Sequence, residues 1–319
     1  MIMVCGEALF DVFMGNADQA GLNMQAVRGG SPYNVAIGLA RLGGSVGFFG
    51  GLSRDPLGVM LRQSLAGEGV KTDQAPMVAA NTTLALVQLD ASGLPCYAFY
   101  GEGCADRQLT QNDLPTLDDD VRLLHFGSFS LVVEPAGQTL RSFAQSQTGR
   151  RLISYDPNIR PTVVADMEVW RASLRAWLRV ADIVKVSHED LSLLFPSANP
   201  LEIAQSWLQE APSIVVLTQG EQGATGFCRQ GSVHVPATAI PMIDSVGAGD
   251  SFQAALLHGL EQNGHLTRSA LNTLTLPAFE RSLHLAVRAS GITCTRKGAN
   301  LPYAYELDAA FSSPSVKIS

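Results

Sequence analysis

Hydrophobic residues along the chain form short runs separated by amphipathic segments. The runs are apolar at consecutive positions, as in strands buried on both faces, whereas the segments between them repeat at helical spacing. The predicted strands are Ile2–Val4, Val46–Phe49, Leu84–Leu89, Leu123–Phe126, Leu152–Tyr155, Ile183–Val186 and Ile214–Leu217. The predicted helices are Pro32–Leu42, Leu57–Ala66, Pro135–Gln147, Trp170–Arg179, Leu201–Glu210, Ala248–Gln262 and Ala278–Ser290. This alternation predicts an α/β fold with a mostly parallel central sheet that helices cover on both faces.

Two segments interrupt the alternation. Residues 12–27 follow the first strand and are predicted to be loop-like. Residues 84–100 are predicted to form a hairpin, with "TLALVQL" and "CYAFY" as strands and "DASGLP" as the turn. An antiparallel flap inserted into a parallel sheet indicates a small lid, and an edge hairpin is the alternative.

Composition narrows the class of protein. Hydrophobic residues make up 46% of the chain and charged residues 16%, which favours a well-filled core over disorder. The net charge of -7, with no run of Lys or Arg, argues against nucleic acid as a partner. Apolar stretches such as "SIVVLT" are too short to span a bilayer, and Glu7 and Asp11 interrupt any secretory signal. Five scattered cysteines without a CxxC spacing favour a cytoplasmic location.

The stretch "DSVGAGDSF" places Gly247, Ala248 and Gly249 directly before Asp250, at the start of a predicted helix. The first amide groups of a helix are unpaired and lie at its positive end, so bare backbone there can approach an anion such as phosphate. Asp250 would repel that anion unless it takes a proton from a hydroxyl in the same reaction. The stretch therefore indicates a phosphoryl transferase, with a plain tight turn as the alternative.

The stretch "RGGSPYNVAIGLARLGG" predicts a second exposed helix start. Ser31 is expected to cap the helix, with Pro32 at its first position. Gly29 and Gly30 leave backbone open beside that start, and Asn34 can point its amide toward the same opening, although a surface amide is the alternative.

Two further strand ends carry candidate chemistry. In "SYDPNIRP", Asp156, Asn158 and Arg160 come directly after a buried strand, where α/β proteins place ligand-binding loops. "VVLTQGEQGATGF" is a strand that ends in a glycine-containing turn. Ordinary turn chemistry explains either stretch taken alone. The chain carries no complete P-loop and no dinucleotide fingerprint, which argues against a Rossmann oxidoreductase.

Together these motifs resemble the ribokinase-like (PfkB) family of carbohydrate kinases over essentially the whole chain. "GGSPYNVAIGLARLG" is similar to the first family signature and "DSVGAGDSF" to the second, while "DPNIR" is similar to the version in fructokinases and 2-keto-3-deoxygluconate kinases. The resemblance implies transfer of the γ-phosphate of ATP to a primary hydroxyl of a small sugar. It also implies a nine-stranded α/β/α sandwich, a single domain over residues 1–319 with lid segments at about 12–27 and 84–105, and a homodimer formed through the lid.

The resemblance also assigns roles to individual residues. Asp250 matches the catalytic base, and the amides of Gly247, Ala248 and Gly249 match the anion hole. The sugar-side residues it implies are Asp11, Gly29, Gly30, Asn34, Asn158 and Arg160. The nucleotide-side residues are Thr218, Gly220, Gly223 and Gly298, with Lys185 as a candidate phosphate ligand or a solvated lysine.

The expected cofactors are Mg²⁺ and, as a further candidate, a monovalent cation such as K⁺. Where the family often has Asn-x-x-Glu, this chain has Ser187-x-x-Asp190 with Glu189 adjacent. We expect Glu189 or Asp190 to organise Mg²⁺ through water.

The choice of sugar stays open at this stage. Asp11, Asn34 and Asn158 suit neutral hydroxyls and favour fructose, whereas the fork of Arg160 suits the carboxylate of 2-keto-3-deoxygluconate. The chain has no arginine directly after Tyr100, where many fructokinases carry one, and this weakens the case for fructose. A nucleoside kinase and a non-catalytic sugar-sensing relative are two further hypotheses.

Overall fold

The computed structural model describes residues 1–18, 21–89 and 95–309. Its strands are β1 (Ile2–Cys5), β2 (Leu9–Asp18), β3 (Gly21–Gly29), β4 (Val46–Phe49), β5 (Leu52–Ser53), β6 (Met77–Val78), β7 (Leu84–Leu89), β8 (Pro95–Tyr100), β9 (Leu123–Gly127), β10 (Leu152–Asp156), β11 (Ile183–Ser187), β12 (Ile214–Thr218), β13 (Ala224–Cys228) and β14 (Gly231–Val235). Its α-helices are α1 (Ser31–Arg41), α2 (Pro56–Gly67), α3 (Ala136–Gln147), α4 (Met167–Trp177), α5 (His188–Leu194), α6 (Pro200–Ser206), α7 (Ala248–Gln262), α8 (Arg268–Asn272), α9 (Leu276–Cys294) and α10 (Ala304–Ala309).

Within the described residues, eight strands form the main sheet, in the order β14-β13-β12-β11-β10-β9-β1-β4. The six strands from β12 to β4 run parallel, and β13 and β14 add an antiparallel edge. The mostly parallel sheet is thus confirmed, with one strand fewer than the nine that the resemblance implies. Strand order reverses beside β1, and ligands of open α/β sheets bind in the crevice at the carboxyl ends of strands near such a reversal.

Helices cover both faces of this sheet, which confirms the three-layer α/β/α architecture. One core takes residues from α1, α2, α7 and α9, including Leu39, Leu65, Leu256 and Phe279. The other takes residues from α3, α4, α5 and α6, including Leu140, Trp170, Leu194 and Ala204. The sheet strands alternate between the two cores, which explains why they read as continuous apolar runs.

A second sheet has four strands in the order β3-β2-β7-β8. The prediction that residues 12–27 are loop-like is wrong, because most of that segment lies in β2 and β3. Most residues of β3 are solvent-exposed at the edge of the sheet. The strand is therefore held by backbone pairing with β2 and not by a repeating pattern of apolar side chains. The predicted hairpin of β7 and β8 is confirmed as an antiparallel pair, while its turn at 90–94 lies outside the described residues.

The predicted strands of the main sheet and the predicted helices all occur, with boundaries that shift by up to four residues. The largest difference is the predicted helix Leu201–Glu210, which divides into α6 and a 3-10 turn at Trp207–Gln209. Strands β5, β6, β13 and β14 and helices α5, α8 and α10 were not among the predicted elements. The two-residue strands and these three helices are too short to show a repeating pattern. Strand β13 contains a glycine and β14 is mostly exposed, so neither forms a continuous apolar run. In the described part of the chain, no helix combines the length and the apolar character needed to cross a bilayer.

Candidate active site

The carboxyl ends of β10, β11 and β12 meet the N-terminal ends of α1 and α7 at one edge of the main sheet. Asp156, Ser187 and Thr218 are the last residues of the three strands. Parallel neighbours end at the same edge, so the topology gathers motifs that lie far apart in the sequence.

Asp250 is the acidic centre of this edge. Its side chain is 9% exposed, and its two oxygens accept hydrogen bonds from Ser31 Oγ at 2.6 Å and Asn34 Nδ2 at 2.8 Å. Burial raises the pKa of the Asp250 carboxyl above its ordinary value, against the lowering effect of these two bonds and of the Arg160 charge. A buried carboxylate with a raised pKa and fixed partners is suited to accept a proton.

The start of α1 differs from the prediction in one respect. Gly30 is the N-cap and Ser31 the first helical residue, so the prediction of Ser31 as the capping residue is wrong. The Ser31 hydroxyl donates to Asp250 instead, while the Ser31 amide donates to Glu7 Oε1 at 3.3 Å. Gly30 has a φ of 102°, and a Cβ there would lie 2.8 Å from the Glu7 carbonyl oxygen, so only glycine fits. Asn34, which sequence reasoning placed on the sugar, contacts the candidate base directly.

Helix α7 begins with an exposed set of backbone amides. Gly247, its N-cap, is left-handed with a φ of 79°, and a Cβ there would lie 2.6 Å from the Cβ of Ala299. The Ala248 amide donates to the Ser245 carbonyl at 3.1 Å, so of the three predicted anion-hole amides this one is engaged in a turn. The Gly249 amide lies before the first hydrogen bond inside the helix, which the Ser251 amide donates to the Gly247 carbonyl at 2.8 Å. The start of a helix is a favourable place for an anion, which makes this one, beside Asp250, a candidate anion site.

Lys185 lies beside this helix start and is not a solvated lysine. It is 3% exposed, and its Nζ donates to Asp156 Oδ2 at 2.9 Å in a fully buried ion pair. Burial alone lowers the pKa of Lys185, but the carboxylates of Asp156, Asp190 and Asp250 outweigh it and raise the pKa, so the ammonium group stays charged. A Cβ on Gly249 would lie 3.3 Å from this Nζ, which places the cation at the amides of α7.

Asp11 and Arg160 complete the surroundings of Asp250. The pKa of Asp11 is raised to about 6. Burial is the main cause, the Arg160 charge acts against it and the Asp250 charge adds to it. Arg160 is exposed, and its Nη1 donates to the Ile159 carbonyl at 3.0 Å. Gly29, on β3, leaves the room that the Asp11 carboxylate occupies. We call Asp11, Ser31, Asn34, Arg160 and Asp250 the Asp250 cluster.

A large cavity of about 660 Å³ opens next to the Asp250 cluster. The predicted site residues in its lining are Asn158, Lys185, Glu189, Thr218, Gly220, Gly223, Ala248 and Gly249. The remaining wall is mostly small and apolar and includes Ile240, Met242, Val287 and Cys294. The cavity therefore joins the amides of α7 and Lys185 to an apolar recess of the size that a nucleotide needs.

Asn158 connects the cavity to the loop that carries Arg160. It is one of the non-glycine residues with positive φ, at 39°, and its buried Nδ2 has no hydrogen-bond partner among the described residues. A strained residue with an unsatisfied donor at a cavity wall is typical of a ligand-binding position.

The two candidate acids for the metal differ in their surroundings. Both oxygens of Asp190 are engaged, since Oδ2 accepts from Ser187 in a capping box and Oδ1 accepts from the Ile159 amide at 2.8 Å. Glu189 is exposed and lines the cavity. Of the two acids, Glu189 therefore faces the cavity, whereas Asp190 holds the loop of Arg160 against α5.

Gly298 lies outside the cavity lining. It has a φ of 69°, and its amide donates to Asp244 Oδ2 at 2.8 Å, while Asp244 Oδ1 accepts from the Val246 amide at 3.0 Å. Gly298 therefore ties the last segment of the chain to the loop before α7 without reaching the cavity itself.

Sequence reasoning placed Asp156 in a candidate ligand-binding loop without a partner, took Ser31 for a helix cap and gave Glu7 no role. The structure places all three in the site. Lys185 is a lysine inside the apolar run "DIVKVS", and that position alone signals a buried carboxylate partner, here Asp156. The contacts of Ser31 and Glu7 join segments more than 20 residues apart and have no local signal.

The fold and this edge of the sheet define an α/β protein with a candidate base, a helix start beside it and a nucleotide-sized cavity. The family model described as "pfkB family carbohydrate kinase" matches residues 1–304. A fructokinase of Rhizobium leguminosarum bv. trifolii is 36% identical over 86% of this chain and 84% of its own. The chain belongs to the pfkB family of carbohydrate kinases.

Two solved structures resemble the whole chain. A fructokinase from Xylella fastidiosa with bound ATP has a TM-score of 0.88 at 27% identity and matches 98% of this chain and 99% of its own. A double mutant of a fructokinase from Vibrio cholerae O395, bound to fructose, ADP and potassium ion, has a TM-score of 0.82 at 26% identity and matches 97% of each chain. Because nearly the whole chain is matched, both likenesses span the main sheet and the second sheet.

Proposed function

We propose that this carbohydrate kinase transfers the γ-phosphate of ATP to a primary hydroxyl of fructose. The observation that carries the proposal is the position of Asp250, which is buried, held by Ser31 and Asn34, and located at the first turn of an amide-bearing helix start. The fructokinases among the relatives support fructose as the acceptor.

In the proposed reaction, Asp250 accepts the proton of the attacking hydroxyl. The bonds from Ser31 and Asn34 fix the orientation of the carboxylate, and its pKa, raised by burial, makes it a better proton acceptor than an exposed aspartate. The Gly249 amide, the dipole of α7 and the Lys185 ammonium group stabilise negative charge on the transferred group. Asp156 keeps Lys185 charged and in place.

ATP occupies the large cavity in this proposal. Thr218, Gly220 and Gly223 lie at and just beyond the end of β12 on the phosphate side, and the apolar wall that includes Ile240 and Val287 suits a purine ring. The described residues hold no group of three or more His, Cys, Asp or Glu side chains able to bind a metal. We infer that Glu189, acting through water, would help to hold Mg²⁺ beside the phosphates of ATP, where the ion would neutralise phosphate charge.

The sugar occupies the Asp250 cluster. Asp11 and Asn158 provide an acceptor and a donor for neutral hydroxyls, and the amide of Asn158 has no partner among the described residues. We propose that the second sheet acts as the lid over this sugar within one domain spanning residues 1–319, and that closure excludes water as a competing acceptor. The backbone edge of β3, with Met24 53% exposed, supports a homodimer through the same sheet. We also propose a monovalent cation such as K⁺ as an activator.

A panel of sugars with radiolabelled ATP tests the proposed function. We expect fructose to give the highest kcat/KM, with formation of a sugar phosphate and ADP. If 2-keto-3-deoxygluconate exceeded fructose tenfold in kcat/KM, the substrate would be wrong and the kinase assignment would stand. Absence of phosphate transfer to every sugar would instead favour the non-catalytic relative.

Arg160→Met separates the two sugar hypotheses. The Arg160 charge lowers the pKa of both Asp11 and Asp250, so its removal raises both values. Each carboxyl then protonates at a higher pH, and we expect the acid limb of the kcat/KM profile for fructose to move to higher pH. The preference for fructose should stay unchanged. The alternative, 2-keto-3-deoxygluconate kinase, predicts that the KM for that acid rises about tenfold or more, because a charge-assisted pair is lost.

A further inference from the structure

The inner face of the second sheet has a wall that the roles assigned so far do not include. Asp11 on β2 pairs with Ala85 on β7, and Ala85 pairs with Phe99 on β8. Residues paired across strands point to the same face, so Phe99 shares the face of Asp11, which lies toward Asp250 and Arg160. The wall thus borders the sugar side of the site.

Phe99 packs against a residue of the main sheet. Its ring lies edge-on to that of Phe129, with centroids 5.9 Å apart. Phe129 begins a 3-10 turn directly after β9, and the Ser128 amide before it donates to the Asp156 carbonyl at 3.1 Å. The aromatic pair therefore connects the second sheet to the carboxyl ends of β9 and β10.

The guanidinium group of Arg107 lies over the Phe129 ring of this aromatic pair. Its guanidinium carbon is 5.5 Å from the centre of the Phe129 ring. It ends the 3-10 turn Ala105–Arg107, which is fixed by a hydrogen bond between Thr83 and Asp106 and by another from the Ala105 amide to the Asn81 carbonyl at 2.9 Å. A guanidinium held on an aromatic face by a fixed turn is preorganised for a ligand.

Gly101 provides the space for the guanidinium. A Cβ at Gly101 would lie 2.7 Å from the guanidinium carbon of Arg107 and within contact of its nitrogens. The backbone at Gly101 does not have the positive φ that would itself require glycine. Glycine is therefore needed at position 101 because a side chain there would overlap the guanidinium group of Arg107, six residues further along the chain.

The donor groups of Arg107 are incompletely used. Its Nε is buried and has no hydrogen-bond partner among the described residues. An unsatisfied buried donor costs free energy unless a ligand accepts from it, and sugar hydroxyl oxygens are acceptors. Among the described residues, none from the second sheet or its neighbouring turn lines the large cavity. Arg107 therefore lies beside the wall formed by Phe99 and Phe129, on the Asp11 side of the site.

We propose that Arg107 is a sugar-binding residue, whose guanidinium donates to non-reacting hydroxyl oxygens of the substrate and which Gly101 admits to the wall. The proposal rests on the proposed sugar kinase function and extends it to a residue that sets affinity for the sugar. Because the contact exists equally before and during phosphoryl transfer, its loss raises the KM for the sugar and leaves kcat nearly unchanged.

The test combines Arg107→Ala, Gly101→Ala and the double variant, with fructose and ATP kinetics for each. We expect Arg107→Ala to raise the KM for fructose about tenfold or more, with kcat and the KM for ATP within about threefold of wild type. Gly101→Ala should raise the KM for fructose as well, since its methyl group displaces the guanidinium. In the double variant, Gly101→Ala should add almost nothing, because the group it displaces is already gone.

Arg229→Ala is the matched control, because Arg229 is exposed in the turn between β13 and β14. A fructose KM for Arg107→Ala equal to that of the control would overturn the proposal, as would additive effects in the double variant. If Arg107→Ala lowered both the kcat for fructose and the thermal midpoint, the role of Arg107 would be structural and the proposal would be overturned too. If wild-type protein phosphorylated no sugar, the proposed function would be wrong as well, whereas normal wild-type turnover with an unchanged KM in Arg107→Ala would refute the role of Arg107 alone.

Discussion

Asp250→Asn is expected to lower kcat by about a hundredfold or more, the usual scale for the loss of a general base. Asparagine has nearly the same shape and keeps an oxygen that can accept from Ser31 at the 2.6 Å contact, while Asn34 can turn its amide to present the oxygen. The helix start and the core should therefore stay intact. Steady-state kinetics with saturating sugar and ATP measures the loss directly.

Asp119→Asn is the matched control, because Asp119 is exposed and lies outside the cavity lining. The control should keep wild-type turnover, and circular dichroism should show the same spectrum for both variants. Turnover of Asp250→Asn within threefold of wild type would refute the assignment of Asp250 as the base.

Gly249→Val is expected to lower kcat about a hundredfold and to raise the KM for ATP. The fold does not require glycine at this position, since a Cβ there would meet within 4 Å only the Lys185 Nζ, at 3.3 Å, among described neighbours. The branched side chain would instead cover the Gly249 amide and push the ammonium group from its place at the helix start. The damage should therefore appear in catalysis and nucleotide binding, with a circular dichroism spectrum like that of the wild-type protein. Because the change disturbs the buried pair of Lys185 and Asp156, we also expect a lower thermal midpoint.

Gly67→Val provides the comparison for the glycine change. Gly67 is exposed at the end of α2, and a Cβ there meets nothing within 4 Å among the described residues. If Gly249→Val were folded and as active as Gly67→Val, the stretch before Asp250 would be a turn without an anion-binding role.

The apolar runs of this chain were sufficient to predict the parallel strands of the main sheet, because a strand inside a parallel sheet is apolar on both sides. The start of α7 was predicted at its observed first residue, since Gly247 and the apolar positions after it are local signals. Strand β3 was missed for the opposite reason. Its residues are mostly exposed, so the pairing that defines the strand is made by a neighbouring backbone and not by its own side chains.

The sequence alone determined the order of the parallel strands and of the long helices, the two family signatures and the residue types gathered near Asp250. Only the tertiary structure decided which of those residues meet. It paired Lys185 with Asp156, engaged both oxygens of Asp190 in local hydrogen bonds and directed Ser31 to Asp250. It also filled the space at Gly101 with the side chain of Arg107. These contacts depend on which strand ends lie side by side in the fold. The spacing of apolar residues along the chain predicts single strands and helices but not which of them become neighbours.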